Sequence, residues 1–222
     1  MATAIIPAYN EGPRVAVVVA ACLQAELVDQ VIVVDDGSTD DTAAEAAAAG
    51  AQVIRKRNGG IGSALVAGAL AALSPVVVRL DSDLKGLEPE DVDRLAAPVL
   101  QGTADMAIGE PDGVSDPLWW SGQRALPGRW ILEAPGMAEE GYGADMLLTR
   151  YARSLRARIV MVPWPGVQSA EKAEKWGAGK ALQMGLLARV AAVESWAPVK
   201  SMGLQAGLTA AGIVLPYWLG GR

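Results

Sequence analysis

Residues 31–42 read VIVVDDGSTDDT, a short apolar run followed by acidic, glycine and hydroxyl-bearing residues. A continuous run of Val and Ile is typical of a parallel strand that is covered on both faces. The Ala-rich residues 42–49 that follow predict a helix, which Gly50 would end. This unit of strand, polar loop and helix predicts an α/β fold.

The same unit recurs along the first half of the chain, and the recurrence predicts a parallel, doubly wound sheet. Further strands are predicted at residues 3–6, 52–55, 76–80, 104–108 and 158–162. Further helices are predicted at residues 14–26, 62–73, 89–100 and 144–156. Residues 109–120 are rich in Pro, Gly and Asp and are interpreted as a mobile loop.

The C-terminal part of the chain carries a predicted helix at residues 178–195 and a largely apolar segment at residues 202–219. The apolar segment approaches the length of a bilayer span, but its Gly and Ala residues make it only mildly hydrophobic. A packed or membrane-surface helix is therefore favoured over a true span. Formation of a homodimer is the other role left open for this segment.

Composition excludes several classes of function. The net charge of −6 and the pI of about 4.8 argue against a nucleic-acid binder, because phosphate contacts need a basic surface. Histidine is absent, which excludes His-dependent triads and His-ligated zinc. Any acid or base chemistry must therefore use carboxylates, lysine or tyrosine.

The sequence also predicts the compartment. Its single cysteine, Cys22, lies in an apolar stretch and cannot form a disulfide within the chain, which fits a reducing compartment. Met1 leads into strand-like residues without a basic region, so no signal peptide is predicted. We therefore expect a cytoplasmic protein, peripheral to the inner face of the membrane if its C-terminal segment binds there.

Four successive predicted strands end in polar segments. Because ligands of parallel α/β sheets bind at the carboxyl ends of the strands, these segments predict a binding site. In chain order the segments are Pro7-Ala8-Tyr9-Asn10-Glu11-Gly12, Asp35-Asp36-Gly37-Ser38, Arg57-Asn58-Gly59-Gly60-Ile61-Gly62 and Asp81-Ser82-Asp83.

Asp81 and Asp83 follow an apolar strand directly, and alternation places both carboxylates on the same side. Mg²⁺ prefers oxygen ligands and bridges substrate phosphates through one or two carboxylates. The pair therefore predicts a divalent-cation site, with a solvated turn of helix-capping aspartates as the alternative.

Two of the other three segments suit a nucleotide. Asp36 is suited to hydrogen bonding a base or ribose, while Ser38 or Thr39 is a candidate N-cap for the next helix. The glycines after Asn58 let the backbone approach a ligand closely, and a helix that begins there offers free N–H groups to a diphosphate.

These four segments, in this order and spacing over residues 1–110, resemble the family 2 glycosyltransferases of the GT-A fold. The later segments Ser121-Gly122-Gln123-Arg124-Ala125-Leu126 and Gly141-Tyr142-Gly143-Ala144-Asp145 are similar to a bacterial subgroup near dolichyl-phosphate mannose and glucosyl-3-phosphoglycerate synthases. The resemblance implies a mixed, mostly parallel sheet flanked by helices, with C-terminal helices. It divides the chain into a nucleotide-sugar half (1–110), an acceptor-side half (111–170) and a helical extension (171–222).

The resemblance also implies roles for individual residues. The implied donor-binding residues are Pro7, Tyr9, Glu11, Asp36, Asn58, Gly60 and Asp81. The implied metal ligand is Asp83, which would hold Mg²⁺ or Mn²⁺ against the donor diphosphate. The implied acceptor-side residues are Ser121, Gln123 and Arg124.

Asp145 occupies the place of the carboxylate that approaches the acceptor in the family. If the reaction inverts the anomeric centre, Asp145 is the candidate general base. A phosphate acceptor is already a nucleophile, and Asp145 would then only orient it. The alternative is a carboxylate that caps a helix.

Two positions depart from the family pattern. Ile61 stands where related enzymes often carry a Lys, and Gln168 stands where they often carry a His, so that Gln168 is a weaker candidate metal ligand. The predicted activity is transfer of a hexose from a UDP- or GDP-sugar to an unidentified acceptor, such as a lipid phosphate or a small phosphorylated or hydroxyl compound. A catalytically degenerate nucleotide-sugar binder and a sugar nucleotidyltransferase are the alternatives.

Overall fold

The structure is a computed structural model that describes residues 1–114, 116–141 and 143–169. The predicted helix at residues 178–195, the apolar segment at 202–219 and the predicted extension at 171–222 lie outside the described residues. Within the described residues, no helix combines the length and the hydropathy that crossing a bilayer requires. The cytoplasmic location and the membrane or dimer contacts of the C-terminal segment stay predictions.

Strands and helices alternate along the described chain. The strands are β1 (Ala2–Ala8), β2 (Val28–Asp35), β3 (Gln52–Arg55), β4 (Val76–Arg79), β5 (Leu84–Lys85), β6 (Met106–Pro111), β7 (Arg124–Pro127), β8 (Ile159–Trp164) and β9 (Gln168–Ser169). The helices are α1 (Gly12–Gln24), α2 (Thr42–Ala48), α3 (Gly60–Ala71), α4 (Pro89–Leu100), α5 (Pro117–Trp120), α6 (Arg129–Glu133) and α7 (Ala144–Ser154), with a 3₁₀ helix at Met137–Glu139.

The main sheet has the strand order β3-β2-β1-β4-β7-β6-β8 in the described part of the chain. Strand β7 runs antiparallel to β4 and β6, and the other pairs are parallel. The predicted α/β class with a mixed, mostly parallel sheet is therefore confirmed. Because β4 and β6 both oppose β7, the carboxyl ends of all the parallel strands lie at one edge, here called the carboxyl edge.

Two apolar layers cover the sheet. Along β1, Ala4 and Ile6 face the layer that contains α1, α2 and α4, whereas Ile5 faces the layer that contains α3, α6 and α7. This alternation is the period of two that a strand imposes on its side chains. Helix α3 lies so close to the sheet that a Cβ atom at Gly68 would come within 2.5 Å of Ile5 Cγ2.

The structure corrects the interpretation of residues 109–120 as a loop. Residues 109–111 complete β6, where Gly109 pairs with Val162 and Pro111 with Trp164. Residues 117–120 form α5, with Pro117 in its first turn. Local composition favours a loop here, but pairing with β8, which is distant in sequence, keeps residues 109–111 extended.

Strand β7 was not apparent from the sequence pattern. It is four residues long, and it begins with Arg124 and ends with Pro127. Its residues form a strand because β4 and β6 lie on either side of it and supply hydrogen-bonding partners. Its antiparallel direction brings Arg124, at the start of β7, to the carboxyl edge.

Candidate functional site

The carboxyl edge brings together the loops that follow β1, β2, β3 and β4, since these strands are neighbours in the sheet. Hydrogen bonds join the first two loops. The Asn10 amide donates to Ser38 Oγ over 2.9 Å, and the Thr39 amide donates to Asn10 Oδ1 over 2.9 Å. Ser38 and Thr39 thus connect loops rather than cap α2, whose N-cap residue is Asp41.

A cradle around Asp36 connects the second and third loops. We call Asp36, Lys56, Gly59 and Gly60 the Asp36 cradle. The carboxylate of Asp36 accepts hydrogen bonds from Lys56 Nζ at 2.5 Å, from the Gly59 amide at 2.9 Å and from the Gly60 amide at 2.7 Å. Gly60 has a φ of 87°, a left-handed conformation that favours glycine. The Asp36 carboxylate therefore sets the backbone path at the start of α3.

The remaining predicted donor residues lie along the same edge with different exposure. Tyr9 is 47% exposed and Asn58 is also exposed, whereas Pro7 is half-buried. Glu11 is buried, its carboxylate pairs with Arg14 Nη1 at 3.0 Å, and its amide donates to a hydroxyl of α2. Tyr9 and Asn58 thus offer side chains to a ligand, whereas Glu11 stabilises the loop after β1.

The Asp81–Asp83 turn follows β4 and leads directly into β5. The carboxylate of Asp83 is buried, with 7% exposure of the residue. Strand β5 pairs with β9, so that Lys85 lies opposite Gln168. This pairing brings Gln168, which is 85 positions later in the sequence than Asp83, to the same turn. Glu88, and not an aspartate of the turn, is the N-cap of α4.

This turn has the chemistry of a divalent-cation site. Asp81 and Asp83 carry carboxylates in the turn, and Gln168 carries an amide oxygen on the strand that pairs with β5. Among the described residues, no group of three or more His, Cys, Asp or Glu side chains forms a complete metal cage. Mg²⁺ commonly binds through one or two carboxylates and takes its other ligands from water and substrate phosphates, so the residues present fit such an ion.

A cluster of buried charges lies behind this turn. We define the buried charge cluster as Arg79, Arg124 and Asp145 together with their partners Gln123 and Asp81, of which Asp81 has a side chain that is 32% exposed. Arg79 Nη1 donates to Asp81 Oδ1 at 2.7 Å, and Gln123 Nε2 donates to Asp81 Oδ2 at 2.7 Å. Arg79 Nη2 lies 3.4 Å from Asp145 Oδ2, and Arg124 Nε lies 3.5 Å from Asp145 Oδ1. The cluster joins the predicted donor side to the predicted acceptor side.

The strand register explains the place of Asp145. Arg79 of β4 and Arg124 of β7 are paired directly opposite each other. Like charges opposite each other across an antiparallel pair are destabilising, and the carboxylate of Asp145 compensates both. Asp145 lies in the first turn of α7, where a negative charge also suits the helix dipole. The alternative in which Asp145 caps the helix is not supported, because the N-cap residue of α7 is Gly143 and Asp145 lies inside the helix.

Burial sets the direction of the pKa shift at Asp145 and Arg124, but not at Arg79. It raises the pKa of the Asp145 carboxyl, although the guanidinium groups of Arg79 and Arg124 act in the opposite direction. Burial also lowers the pKa of Arg124 to about 10. Burial alone would lower the pKa of Arg79, but nearby carboxylates outweigh burial and raise it. Those carboxylates belong to Asp145, Asp81 and Asp83. A carboxylate with a raised pKa is a better proton acceptor near neutral pH.

The predicted acceptor-side residues are almost fully buried. Ser121 and Gln123 are each 1% exposed and Arg124 is 0% exposed. Arg124 donates to Thr149 Oγ1 at 2.7 Å and to the Ser121 carbonyl oxygen at 3.1 Å. In this structure these residues hold protein groups in place, and a contact with the acceptor stays a prediction.

A hollow of about 260 Å³ lies elsewhere, between α3 and residues 131–139, and none of the predicted site residues lines it. Its walls are largely apolar, and it lacks the convergent polar groups that fix a ligand's orientation. The carboxyl edge, with its acidic turn and exposed backbone, is the better candidate site.

Comparison with known families identifies this arrangement. A family model described as glycosyl transferase family 2 matches residues 3–161. The chain belongs to this family. It is therefore a glycosyltransferase, as the order of its polar segments predicts. No curated protein sequence matches the chain at a significant level.

Solved structures of one mycobacterial enzyme share the fold of this glycosyltransferase. Glucosyl-3-phosphoglycerate synthase from Mycobacterium tuberculosis, in complex with phosphoglyceric acid, is 25% identical over 86% of this chain and 79% of that chain, with a TM-score of 0.70. Its complex with Mn²⁺, UDP-glucose and glycerol 3-phosphate is 25% identical, with 85% and 76% coverage and a TM-score of 0.69. A third complex contains Mn²⁺, UDP and glucosyl-3-phosphoglycerate, with 26% identity, 85% and 76% coverage and a TM-score of 0.69.

Arg79 and Lys56 are not among the site residues that the sequence of this glycosyltransferase predicts. A signal for Arg79 was available, because it is the one charge in the strand sequence Val76-Val77-Val78-Arg79-Leu80. A parallel strand is covered on both faces, so a charge within it is buried and needs partners. No comparable signal marks Lys56, whose contact with Asp36 depends on the pairing of β3 with β2.

Proposed function

We propose that this glycosyltransferase moves glucose from UDP-glucose to a small phosphorylated acceptor in a reaction that requires Mg²⁺ or Mn²⁺. The convergence of the Asp36 cradle, the Asp81–Asp83 turn and Asp145 at one edge of the sheet carries the proposal. The mycobacterial enzyme that shares this fold contains UDP-glucose and glycerol 3-phosphate in one structure. GDP-mannose is the second donor to test.

For the donor, the proposal assigns the nucleoside to the loops after β1, β2 and β3. The exposed Tyr9 and Asn58 would contact the base and ribose beside the Asp36 cradle. The sequence predicted free N–H groups at the start of α3, but the Gly59 and Gly60 amides donate to Asp36 and the Gly62 amide donates to the Glu140 carbonyl oxygen. The start of α3 would therefore favour a diphosphate through the positive end of its helix dipole rather than through free N–H groups. Related enzymes often carry a Lys where this chain has Ile61. Lys56 lies in the same region and would supply part of the positive charge of that missing lysine.

For the metal, Asp83 is the proposed ligand, with Gln168 as a candidate second ligand. The ion would act as a Lewis acid that neutralises charge on the departing nucleoside diphosphate. Both oxygens of Asp81 accept hydrogen bonds within the protein. We therefore propose that Asp81 shapes the turn and adds negative charge near the metal, without ligating it.

For the acceptor, Asp145 is the proposed carboxylate. With a hydroxyl acceptor and inversion at the anomeric centre, Asp145 would receive the proton as the oxygen attacks the anomeric carbon. Burial, which raises the pKa of this carboxyl, makes it more basic than an exposed aspartate. With a phosphate oxygen as nucleophile, no proton is transferred, and Asp145 orients the acceptor.

The test incubates the full chain with UDP-glucose or GDP-mannose, with and without Mn²⁺. Three acceptors are compared: 3-phosphoglycerate, glycerol 3-phosphate and a polyprenyl phosphate. Release of UDP or GDP and the mass of the product are measured. The proposal expects Mn²⁺-dependent release of UDP and a product that is one hexose heavier than a small phosphorylated acceptor.

Other outcomes discriminate the alternatives. Hexose transfer only to the polyprenyl phosphate would assign the acceptor to lipids and overturn the small-acceptor proposal. Calorimetric binding of UDP without turnover of either donor would indicate a catalytically degenerate binder, the alternative that Ile61 and Gln168 leave open.

A further inference from the structure

Arg79 stands out because none of the recognised motifs contains it. It ends β4 after three valines, is 2% exposed, and contacts a carboxylate on each side. Its partner Asp81 belongs to the turn that precedes β5, and its partner Asp145 belongs to α7. Arg79 is therefore the direct physical link between the proposed metal turn and the proposed acceptor carboxylate.

The fold provides a space for this guanidinium. A Cβ atom at Gly122 would lie 1.5 Å from Arg79 Nη1 and 2.6 Å from Arg79 Cζ. Any side chain at position 122 would therefore displace Arg79. The loop before β7 thus leaves room for Arg79 where it meets Asp81.

Charges around Arg79 decide what it does to a bound cation. The carboxylates of Asp145, Asp81 and Asp83 act on the guanidinium of Arg79, and Asp145 also pairs with Arg124. Removing Arg79 would take one positive charge away from the turn. A divalent cation would then be attracted more strongly, although the turn would lose the donor that orients Asp81.

We propose that Arg79 is a positioning residue that restrains the cation affinity of the Asp81–Asp83 turn and ties that turn to Asp145. This inference rests on the proposed function, in which the turn holds the metal and Asp145 serves the acceptor. Arg79 lowers the affinity of the turn for a free metal ion and keeps Asp81 and Asp145 in the geometry needed for transfer. Loss of Arg79 therefore changes metal affinity and turnover in opposite directions.

The experiment titrates Mn²⁺ alone into the full chain by calorimetry and measures sugar transfer separately. Arg79→Met removes the charge and keeps the apolar stem. Arg158→Met is the matched control, because Arg158 pairs with Asp105 at the opposite edge of the sheet. Arg79→Met is expected to bind Mn²⁺ on the order of tenfold more tightly than the wild type, as the loss of a nearby positive charge predicts. Its turnover is expected to fall at least about tenfold, and Arg158→Met is expected to match the wild type in both.

Two further variants separate charge from position and cover the case in which Arg79→Met does not fold. Arg79→Lys keeps the charge and is expected to bind Mn²⁺ within about threefold of the wild type. Gly122→Ala keeps Arg79 but displaces its guanidinium from Asp81, whose Oδ1 would itself lie 2.8 Å from the added Cβ. The variant is expected to raise Mn²⁺ affinity and lower turnover. The inference is overturned if turnover falls with no rise in Mn²⁺ affinity in both Arg79→Met and Gly122→Ala. If Arg79→Met does not fold, the same result in Gly122→Ala alone overturns it.

The wild-type titration separates this inference from the proposed function. If the wild type binds neither Mn²⁺ nor UDP with Mn²⁺, the proposed function fails, and the inference fails with it. If the wild type binds both but Arg79→Met matches Arg158→Met, only the role of Arg79 is overturned.

Discussion

Two groups of Arg and Asp lie at opposite edges of the same sheet and differ in burial. At the carboxyl edge, Arg79 and Arg124 enclose Asp145, whose side chain is 14% exposed. At the other edge, Arg158 pairs with Asp105 at 2.9 Å, and their side chains are 58% and 37% exposed. The residue types are the same, but the pKa values of the two carboxyl groups, in Asp145 and Asp105, shift in opposite directions.

Burial explains the difference. The pKa of Asp145 is raised because its charged form loses hydration, whereas hydrogen bonds from Arg158 lower the pKa of Asp105 to about 2. The exposed pair therefore gives a little stability and holds the starts of β6 and β8 together. The buried group lies at the carboxyl edge, where we propose that the substrates bind. Strongly perturbed carboxylates next to specific partners are typical of functional sites.

The largest expected effect tests the buried side of this comparison. Asp145→Asn keeps the size of the side chain and removes its charge, so turnover with a hydroxyl acceptor should fall about 10²–10⁴-fold. Because the pKa of Asp145 is raised, ionised Asp145 is lost as the pH falls, and the acid limb of wild-type turnover should lie above about pH 4. The variant should lack this limb. UDP affinity and the urea midpoint serve as controls, and wild-type turnover would remove Asp145 from the site.

Asp83→Ala asks whether the turn in front of the buried cluster holds the metal. Calorimetric UDP affinity in Mn²⁺ should fall at least about tenfold, since a charged ligand to the ion is lost. UDP affinity in EDTA should stay unchanged, because the Asp36 cradle is intact. Equal UDP affinity of variant and wild type in Mn²⁺ would contradict the metal role.

Asp36→Ala tests a third kind of carboxylate, one satisfied mainly by backbone amides. Loss of its charge-assisted hydrogen bonds should loosen the start of α3 and weaken UDP binding about tenfold. The loss should appear in Mn²⁺ and in EDTA alike, which distinguishes it from Asp83→Ala. An unaffected titration in both conditions would count against the cradle as the nucleotide site.

Asp105→Asn should have the smallest effect and no effect on turnover. The lowered pKa means that ionised Asp105 stabilises the fold above its ordinary pKa of about 3.9, and that this contribution is lost as the pH falls through about 2. Because the pair is exposed, the loss of unfolding free energy at pH 7 should stay below about 1 kcal/mol. Urea unfolding at pH 7 and near pH 2 measures this loss of unfolding free energy. A loss above about 1 kcal/mol at pH 7, or a loss near pH 2 equal to that at pH 7, would contradict the weak contribution of the exposed pair.

Much of the fold was predictable because its signals are local. The helix at Pro89–Leu100 was predicted at its observed bounds, and the strands from β1 to β4 were predicted from short runs of Val and Ile. Residues 109–111 were predicted wrongly, since Pro and Gly favour loops unless a partner strand such as β8 is present. Strand β7 also escaped prediction, because its four residues are extended by pairing between β4 and β6 and not by a local run of apolar residues.

By itself, the sequence of this glycosyltransferase determined which polar loops meet at one edge of the sheet, because parallel strands deliver their carboxyl ends to the same edge. The spacing of Asp81 and Asp83 and the loop around Asp36 needed no long-range information. Only the tertiary structure decided that Arg79 would face Arg124 with Asp145 between them. That arrangement depends on the pairing of β4 with β7 and on the packing of α7, contacts that no local pattern encodes.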